Sequence, residues 1–142
     1  MVTVRHLLDR KGRSIHSIEP EQPVLEGIRL MAEHHVGALL VMRGDELVGI
    51  VSERDYARKV ILKGRSSADT AVSQIMSSPV VTVSLSNSVQ ECMQLMTERR
   101  LRHLPVVEGR KVVGVVSIGD LVKAVMEEQQ QTIEQLESYI HH

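Results

Sequence analysis

The sequence predicts a mixed α/β fold, of the α+β type, in which two β-α-β-β-α repeats pack with pseudo-twofold symmetry and a long helix follows. The first observation is an internal repeat: Ile15–Tyr56 aligns without a gap on Val80–Leu121, and 13 of the 42 aligned pairs are identical. The second is hydrophobic periodicity, which changes between strand-like and helix-like spacing in the same order in both copies. The third is length, because 142 residues suit one domain and a copy of about 60 residues would bury too little surface to be stable alone.

Each copy is expected to contain a short β-branched strand, a helix, a two-stranded hairpin and a second helix. In the first copy these are Ile15–Ile18, a helix with Pro23 at its first position, strands Ala38–Met42 and Leu47–Val51, and a helix from Ser52 to about Lys63 that ends at Gly64. In the second copy they are Val80–Val83, a helix from about Val89, strands Leu104–Val107 and Val112–Val116, and a helix that begins at Ser117. A glycine, Gly44 or Gly109, marks each hairpin turn.

Segments outside the repeats are predicted to be helical or solvent-exposed. Short helices are expected at Val4–Leu8, capped by Thr3, and at Ala71–Met76, capped by Thr70, with a polar surface loop at residues 65–69. The predicted division is a first repeat with its linker helix (1–69), a second repeat with its linker helix (70–125) and a C-terminal helical extension (126–142). The last helix is expected to reach about Ile140 and to carry an apolar stripe, which favours a homodimer.

Composition excludes several classes of protein. The 17 Lys and Arg residues nearly balance the 18 Asp and Glu residues, which argues against a nucleic-acid or membrane-surface partner. No apolar run approaches the roughly 18 residues of a membrane span, and the first nine residues do not resemble a signal peptide, so we expect a cytoplasmic protein. The single cysteine, Cys92, cannot form an intramolecular disulfide, and we expect it to pack in the core.

One motif occurs at a strand-to-helix junction in both copies. It reads Gly49-Ile-Val-Ser-Glu-Arg-Asp55 in the first copy and Gly114-Val-Val-Ser-Ile-Gly-Asp120 in the second. Ser-x-x-Asp is a capping box, in which the serine caps the new helix and the acid bonds back to the cap amide. A helix N-terminus can also hold phosphate, and a carboxylate has lone pairs enough for a cap amide and ribose hydroxyls together. The motif therefore predicts a helix cap and, beyond it, a nucleotide site.

These strings resemble the cystathionine-β-synthase (CBS) domain family, and specifically a stand-alone bacterial tandem pair, over about Val4 to Val125. The resemblance is carried by Val36-Gly-Ala-Leu-Leu-Val41, Val48-Gly-Ile-Val-Ser-Glu-Arg-Asp-Tyr56, Arg102-His-Leu-Pro-Val106 and Val113-Gly-Val-Val-Ser-Ile-Gly-Asp-Leu121. It implies up to two clefts between the copies that bind AMP, ADP, ATP, NAD or S-adenosylmethionine. It also implies homodimers that transmit ligand state to another protein. AMP is the expected ligand.

Carried over by position, the resemblance assigns residues to two clefts. One cleft would use Asp120 for ribose, Ser117 for ribose or phosphate, Arg102 and His103 for phosphate, and backbone near His16 and Val36 for adenine. The other would use Asp55, Ser52 and Arg54, with adenine against backbone near Val81 and Leu101. Gly119 replaces Arg54, and Gly37-Ala38 replace Arg102-His103, so we expect the Asp120 cleft to bind more tightly.

The remaining candidates are less specific. Lys59 and Lys63 could reach a further phosphate, or could simply be solvated. His34 and His35 are expected to end a helix, and no set of residues has the spacing of a metal site. Whether His141 and His142 are native is left open by the sequence.

The sequence thus favours a regulatory adenine-nucleotide-binding module that senses energy or redox state, is not an enzyme and uses no catalytic cofactor. Ligand binding would act by population shift, because a nucleotide that bridges both repeats favours the arrangement that a partner protein recognises. Two alternatives stay open: a ligand-independent adaptor, in which Ser-x-x-Asp only caps helices, and a small nucleotide hydrolase.

Overall fold

The computed structural model describes residues 1–140, and the elements that form occur in the predicted order, without a strand at Val80–Val83. The helices are α1 (Val4–Lys11), α2 (Val24–His34), α3 (Glu53–Tyr56), α4 (Val89–Arg99) and α5 (Ile118–Ile140). The strands are β1 (Ser17–Ile18), β2 (Ala38–Arg43), β3 (Glu46–Ser52), β4 (His103–Glu108) and β5 (Lys111–Ser117). The mixed α/β class and the long last helix are confirmed. His141 and His142 lie outside the described residues.

The chain divides into two units, each of which has its own core. The first-repeat unit is Ser14–Val81 with Gly109–Val112, and the second-repeat unit is Met1–Arg13, Thr82–Glu108 and the chain from Val113 onward. The N-terminal helix α1 therefore belongs with the second repeat, where Val4 N donates to Asn87 O at 2.9 Å and Val89 N donates to Val2 O at 3.0 Å. The predicted division of the sequence into 1–69, 70–125 and 126–142 follows the repeats and remains a prediction.

The sheet of the first-repeat unit has the order β1-β2-β3, with β1 parallel to β2 and β2 antiparallel to β3. Ala38 pairs with Ser52 at the end of the hairpin that meets α3. The buried side chains of β2, Leu39 and Val41 among them, pack with Val24 and Met31 of α2. The start of α3 lies beside the start of β2, where Glu53 N donates to Gly37 O at 3.0 Å.

The second-repeat unit differs at its first predicted strand. The sequence predicts a strand over Val80–Val83, but only Val83 makes a parallel bridge, to Val106. The reason is a proline: Leu40 N donates to His16 O in the first repeat, whereas the equivalent residue in the second repeat is Pro105, which has no N–H to donate to Val81. The sheet there consists of β4 and β5.

A glycine in the last strand of each repeat leaves room for a side chain from the segment that precedes the other repeat in sequence. A Cβ on Gly49 would collide with Met76, and a Cβ on Gly114 would lie 2.8 Å from a methyl carbon of Leu8. Leu8 is fully buried. The repeated glycine is thus a packing requirement as well as part of the motif.

Three local predictions at element boundaries are wrong or shifted. The predicted helix Ala71–Met76 is only a 3₁₀ turn, Val72–Gln74, whose N-cap is Ala71. Thr70 does not cap it, and its hydroxyl donates to Ser66 O at 2.6 Å. Pro23 is the N-cap of α2 rather than its first helical residue. The helix after Ser52 is α-helical only to Tyr56 and continues as a π-helical turn over Ala57–Ile61.

Candidate functional site

The two Ser-x-x-Asp strings form capping boxes, as predicted. In the first repeat, Ser52 N donates to Asp55 Oδ2 at 2.9 Å and Asp55 N donates to Ser52 Oγ at 3.2 Å. In the second repeat, Ser117 N donates to Asp120 Oδ2 at 2.8 Å and Asp120 N donates to Ser117 Oγ at 3.1 Å. Both carboxylates are therefore held at the first turn of a helix, where the helix dipole favours negative charge.

Asp120 has a further partner that the sequence did not reveal. Lys11 Nζ, at the end of α1, lies 2.6 Å from Asp120 Oδ2 and donates to Val115 O at 2.9 Å. All the hydrogen bonds that Asp120 receives from residues 1–140 fall on Oδ2, so Oδ1 has no partner among them. Lys11 and the Ser117 amide thus orient the carboxylate and leave one oxygen available.

The pKa of Asp120 lies below its ordinary value, as the net result of opposing effects. Partial burial by itself raises the pKa. The hydrogen bond and charge of Lys11, together with the amide and hydroxyl of Ser117, lower it by more. Asp120 is consequently ionised at neutral pH and acts only as an acceptor.

Asp55 is more completely occupied than Asp120. Its Oδ2 accepts from Ser52 N and from Ser52 Oγ, at 3.0 Å in the latter case. Its Oδ1 lies 3.1 Å from Lys59 Nζ, one turn along the same helix, and Lys59 also donates to Ile75 O. The residue equivalent to Lys59 in the second repeat is Ala124. The two repeats therefore neutralise their carboxylates with lysines from different places.

The predicted phosphate residues of the second repeat differ in character. Arg102 is exposed and forms no ion pair within residues 1–140. His103, the first residue of β4, has a pKa below its ordinary value because burial disfavours the imidazolium, with Lys11 and Arg102 adding to the effect and Asp120 opposing it. A neutral imidazole can donate one hydrogen bond but brings no positive charge. Arg102 is thus the cation of the pair.

The predicted adenine-side residues lie just before the first strand position of each repeat, at His16 and Val81, or just after its first helix, at Val36 and Leu101. Val36 N donates to Met31 O and Leu101 N donates to Met96 O, so these amides are used in closing α2 and α4. His16 O accepts from Leu40 N in the sheet, and the His16 ring stacks on His34 at 4.1 Å between centroids. No backbone hydrogen bond to Val81 O is found within residues 1–140. The carbonyl of Val81 is consequently more available to a ligand than the carbonyl of His16.

A cavity of about 470 Å³ opens beside Asp120, within the second-repeat unit. Its charged lining residues are three cations and three carboxylates, Arg10, Lys11, Lys123, Asp120, Glu127 and Glu134. Of the predicted site residues, only Asp120 lines it. Arg10 Nη1 is 2.7 Å from Glu127 Oε2, whereas Lys123 forms no ion pair in the described part of the chain. A volume of this size suits a ligand the size of a nucleotide.

Sequence reasoning missed Lys11 and Lys123 at this cavity. Nothing in the repeat alignment singles out Lys11, because α1 lies outside the aligned segments. The only local signal is a basic residue in the last turn of a helix, which is a common feature. Its pairing with Asp120 depends on α1 packing against the second repeat.

Other residues considered in the sequence have structural roles. Cys92 is fully buried, and burial, with the nearby Glu91 charge, raises the pKa of its thiol to about 11. A thiol of that kind is a poor nucleophile at neutral pH. His34 ends α2 and His35 is its left-handed cap residue, as predicted. Within residues 1–140, no three His, Cys, Asp or Glu side chains gather as metal ligands would.

Comparison with known proteins identifies the family. The CBS domain model matches residues 4–62 and 72–127, which covers both repeats. The chain belongs to the CBS domain family. It is therefore a CBS pair, a regulatory type of module. It is 39% identical to the Arabidopsis thaliana protein CBSX3, mitochondrial, over 97% of this chain and 71% of the relative.

Solved CBS structures share this fold. A protein with CBS domains from Burkholderia ambifaria MC40-6 matches with a TM-score of 0.87 and 51% identity, over 90% of this chain and 96% of that one. The CBS domain pair of protein MJ0100, in complex with 5-methylthioadenosine and S-adenosyl-L-methionine, matches with a TM-score of 0.81 and 21% identity, over 90% of this chain and 98% of that one. Among residues 1–140, no helix has the length and apolar character needed to cross a membrane.

Proposed function

We propose that this CBS pair binds an adenine nucleotide at Asp120 and that AMP is the preferred ligand. We also propose that a partner protein recognises whether the nucleotide is bound. The observation that carries the proposal is the Asp120 carboxylate, ionised and fixed through Oδ2, with Oδ1 facing no protein donor among residues 1–140. A carboxylate oxygen accepts two hydrogen bonds. Two vicinal ribose hydroxyls are donors of that kind.

The contrast with Asp55 supports a stronger site at Asp120. Lys59 covers Asp55 Oδ1, so a ribose there would have to displace an ion pair. At Asp120 the lysine binds the other oxygen and need not move. The weaker site would use Asp55, Ser52 and Arg54, with Lys63 as a further phosphate contact.

Phosphate recognition at the stronger site would combine charge and hydrogen bonding. Arg102 supplies an exposed guanidinium, which matches phosphate oxygens in geometry. His103 would donate from a neutral ring, and Ser117 from its hydroxyl. Lys11 and Lys123 also line the cavity beside Asp120 and would bring further cations near a bound phosphate.

The class of ligand is supported by the fold neighbour that is complexed with two adenosine compounds. Adenosine is the part that those compounds share with AMP, ADP, ATP and NAD. Ribose recognition by Asp120 would be common to all of them, whereas the cations would favour the phosphorylated ligands.

The decisive experiment is calorimetric titration of AMP into the protein and two matched variants, Asp120→Asn and Asp55→Asn. Asparagine keeps the cap acceptor but removes the charge. We expect Asp120→Asn to weaken the tighter binding event about tenfold or more, since hydrogen bonds to a charged group contribute about 1.5–3 kcal/mol. Asp55→Asn should leave that event unchanged. Loss of the tight event only in Asp55→Asn would reverse the ordering of the two sites.

Two other functions make different predictions. A ligand-independent adaptor would show no thermal shift with AMP, ADP, ATP, NAD or S-adenosylmethionine. A nucleotide hydrolase would convert AMP or ATP on prolonged incubation, whereas we propose that both are recovered unchanged. Mass spectrometry of small molecules released from the denatured protein would identify a retained ligand directly.

We further propose that the module acts as a cytoplasmic homodimer. The apolar stripe of α5 supports this, because Val122, Met126, Ile133, Leu136 and Ile140 recur at heptad-like spacing and are all exposed. Association through such a stripe would give ligand-driven changes a surface on which to act.

A further inference from the structure

Two exposed surfaces of the chain combine apolar side chains with charged ones, and their charges are of opposite sign. The first, here called the basic segment, is 57–65, which contains Arg58, Lys59, Lys63 and Arg65 and no acidic residue. The second, here called the acidic tail, is 126–140, which contains Glu127, Glu128, Glu134 and Glu137 and no basic residue. Each surface belongs to a different unit and is considered by itself.

Most of the charge on both surfaces is unneutralised within the described chain. In the basic segment, only Lys59 forms an ion pair, with Asp55, which leaves Arg58, Lys63 and Arg65. In the acidic tail, only Glu127 forms one, with Arg10. Three cations therefore stand against three carboxylates, those of Glu128, Glu134 and Glu137.

Both surfaces also expose large apolar side chains beside these charges. Ile61 is 57% exposed and Leu62 76% exposed, although both belong to or directly follow the π-helical turn. In the acidic tail, Leu136 is 58% exposed and Ile140 75% exposed. Contiguous exposed apolar residues mark a surface that another molecule covers.

We propose that the basic segment of one chain binds the acidic tail of a second copy, and that a two-fold dimer makes this contact twice. This inference rests on the homodimer proposed above and specifies which surfaces meet. Pairing two acidic tails, or two basic segments, would place like charges together without a counterion. Electrostatic complementarity selects orientation more than affinity, while the apolar side chains supply most of the affinity. Reciprocal contacts close the assembly at two chains.

The test is charge reversal with rescue, measured by sedimentation equilibrium. Arg58→Glu/Lys63→Glu and Glu134→Lys/Glu137→Lys should each weaken the dimer about tenfold, which corresponds to about 1.4 kcal/mol. An equimolar mixture of the two double variants should form heterodimers with nearly the wild-type dissociation constant, because both contacts then join opposite charges. The matched control for Arg58→Glu/Lys63→Glu is Arg110→Glu/Lys111→Glu, which makes the same change in net charge at two exposed residues where β5 begins and should have no effect. Circular dichroism confirms that each variant is folded.

The outcomes separate this inference from the proposed function. A dimer that neither double variant weakens would overturn the pairing of these surfaces while leaving the homodimer intact. A dimer strengthened by Glu134→Lys/Glu137→Lys would show that two acidic tails pair with each other, which also overturns it. A wild-type chain that is monomeric at all concentrations would remove the homodimer itself, whereas AMP binding is measured separately.

Discussion

Asp120 caps a helix and, at the same time, offers an oxygen to a ligand. The capping role uses Oδ2, which accepts from Ser117 N and Lys11. The second role depends on Oδ1, which receives no hydrogen bond within residues 1–140. The capping and ligand-binding interpretations of Ser-x-x-Asp are therefore compatible at this residue, because a carboxylate has more acceptor positions than a helix cap requires.

The ion pair of Lys11 with Asp120 predicts a graded effect on ligand binding. Lys11→Met removes a cation from the cavity and one of the groups that orient Asp120, so AMP binding should weaken about threefold to tenfold in calorimetry. Adenosine, which lacks the phosphate, should be affected less. Lys111→Met is the control, because Lys111 is exposed and forms no ion pair with any residue from 1 to 140. Tighter AMP binding in Lys11→Met would instead show that Lys11 competes with the ligand.

His103 predicts a pH dependence of stability. Burial lowers its pKa in the folded protein, so the unfolded chain binds a proton at higher pH than the folded chain does. The contribution of neutral His103 to the free energy of unfolding is therefore complete above its pKa in the unfolded chain, about 6.5. That contribution is lost as pH falls through the lower pKa of His103 in the folded protein. His103→Gln should show a flatter decline in unfolding free energy between about pH 7 and pH 5, by denaturant titration. The exposed His35→Gln variant is the control, and parallel profiles for His103→Gln and wild type would contradict the prediction.

At the scale of elements, helix caps account for most of the boundaries that the sequence predicts well. The side chains of Thr3, Ser52 and Ser88 each accept a hydrogen bond from the backbone N–H three residues later. In each case the side chain of that later residue accepts a hydrogen bond from the backbone N–H of the cap residue. Such caps are visible in sequence because they need only local residues. The prediction that Thr70 caps a helix was wrong. Its hydroxyl donates instead to Ser66 O, which lies four residues earlier in the sequence.

The cap of α4 allows a measurable prediction. Ser88 is buried, its Oγ accepts from Glu91 N at 3.0 Å and its N donates to Glu91 Oε1 at 3.0 Å. Ser88→Ala should lower the unfolding free energy by about 1 kcal/mol, and by more if the vacated amide of Glu91 stays dry. Ser138→Ala, on an exposed turn of α5, should change it by less than about 0.5 kcal/mol. Equal effects of the two substitutions would refute the role of the cap.

At the scale of the whole molecule, the chain order and the spatial grouping differ. Helix α1 precedes the first repeat in sequence but belongs with the second, where Leu8 fills the space that Gly114 leaves. The corresponding segment before the second repeat, which ends at Met76, packs on Gly49 of the first repeat. Each repeat therefore packs with the segment that precedes the other repeat in sequence. Because of it, Lys11 meets Asp120.

The sequence by itself determined the repeat, the order of helices and strands, the capping boxes at Asp55 and Asp120, and the family to which the motif strings belong. These features depend on neighbours a few residues apart or on self-similarity, both of which are visible along one chain. Tertiary structure alone decided that Lys11, which is 109 residues away in sequence, holds Asp120, and that Leu8 packs against Gly114. Those outcomes depend on which distant segments pack together, and the free energy of such packing comes from buried surface and geometry that no local pattern encodes.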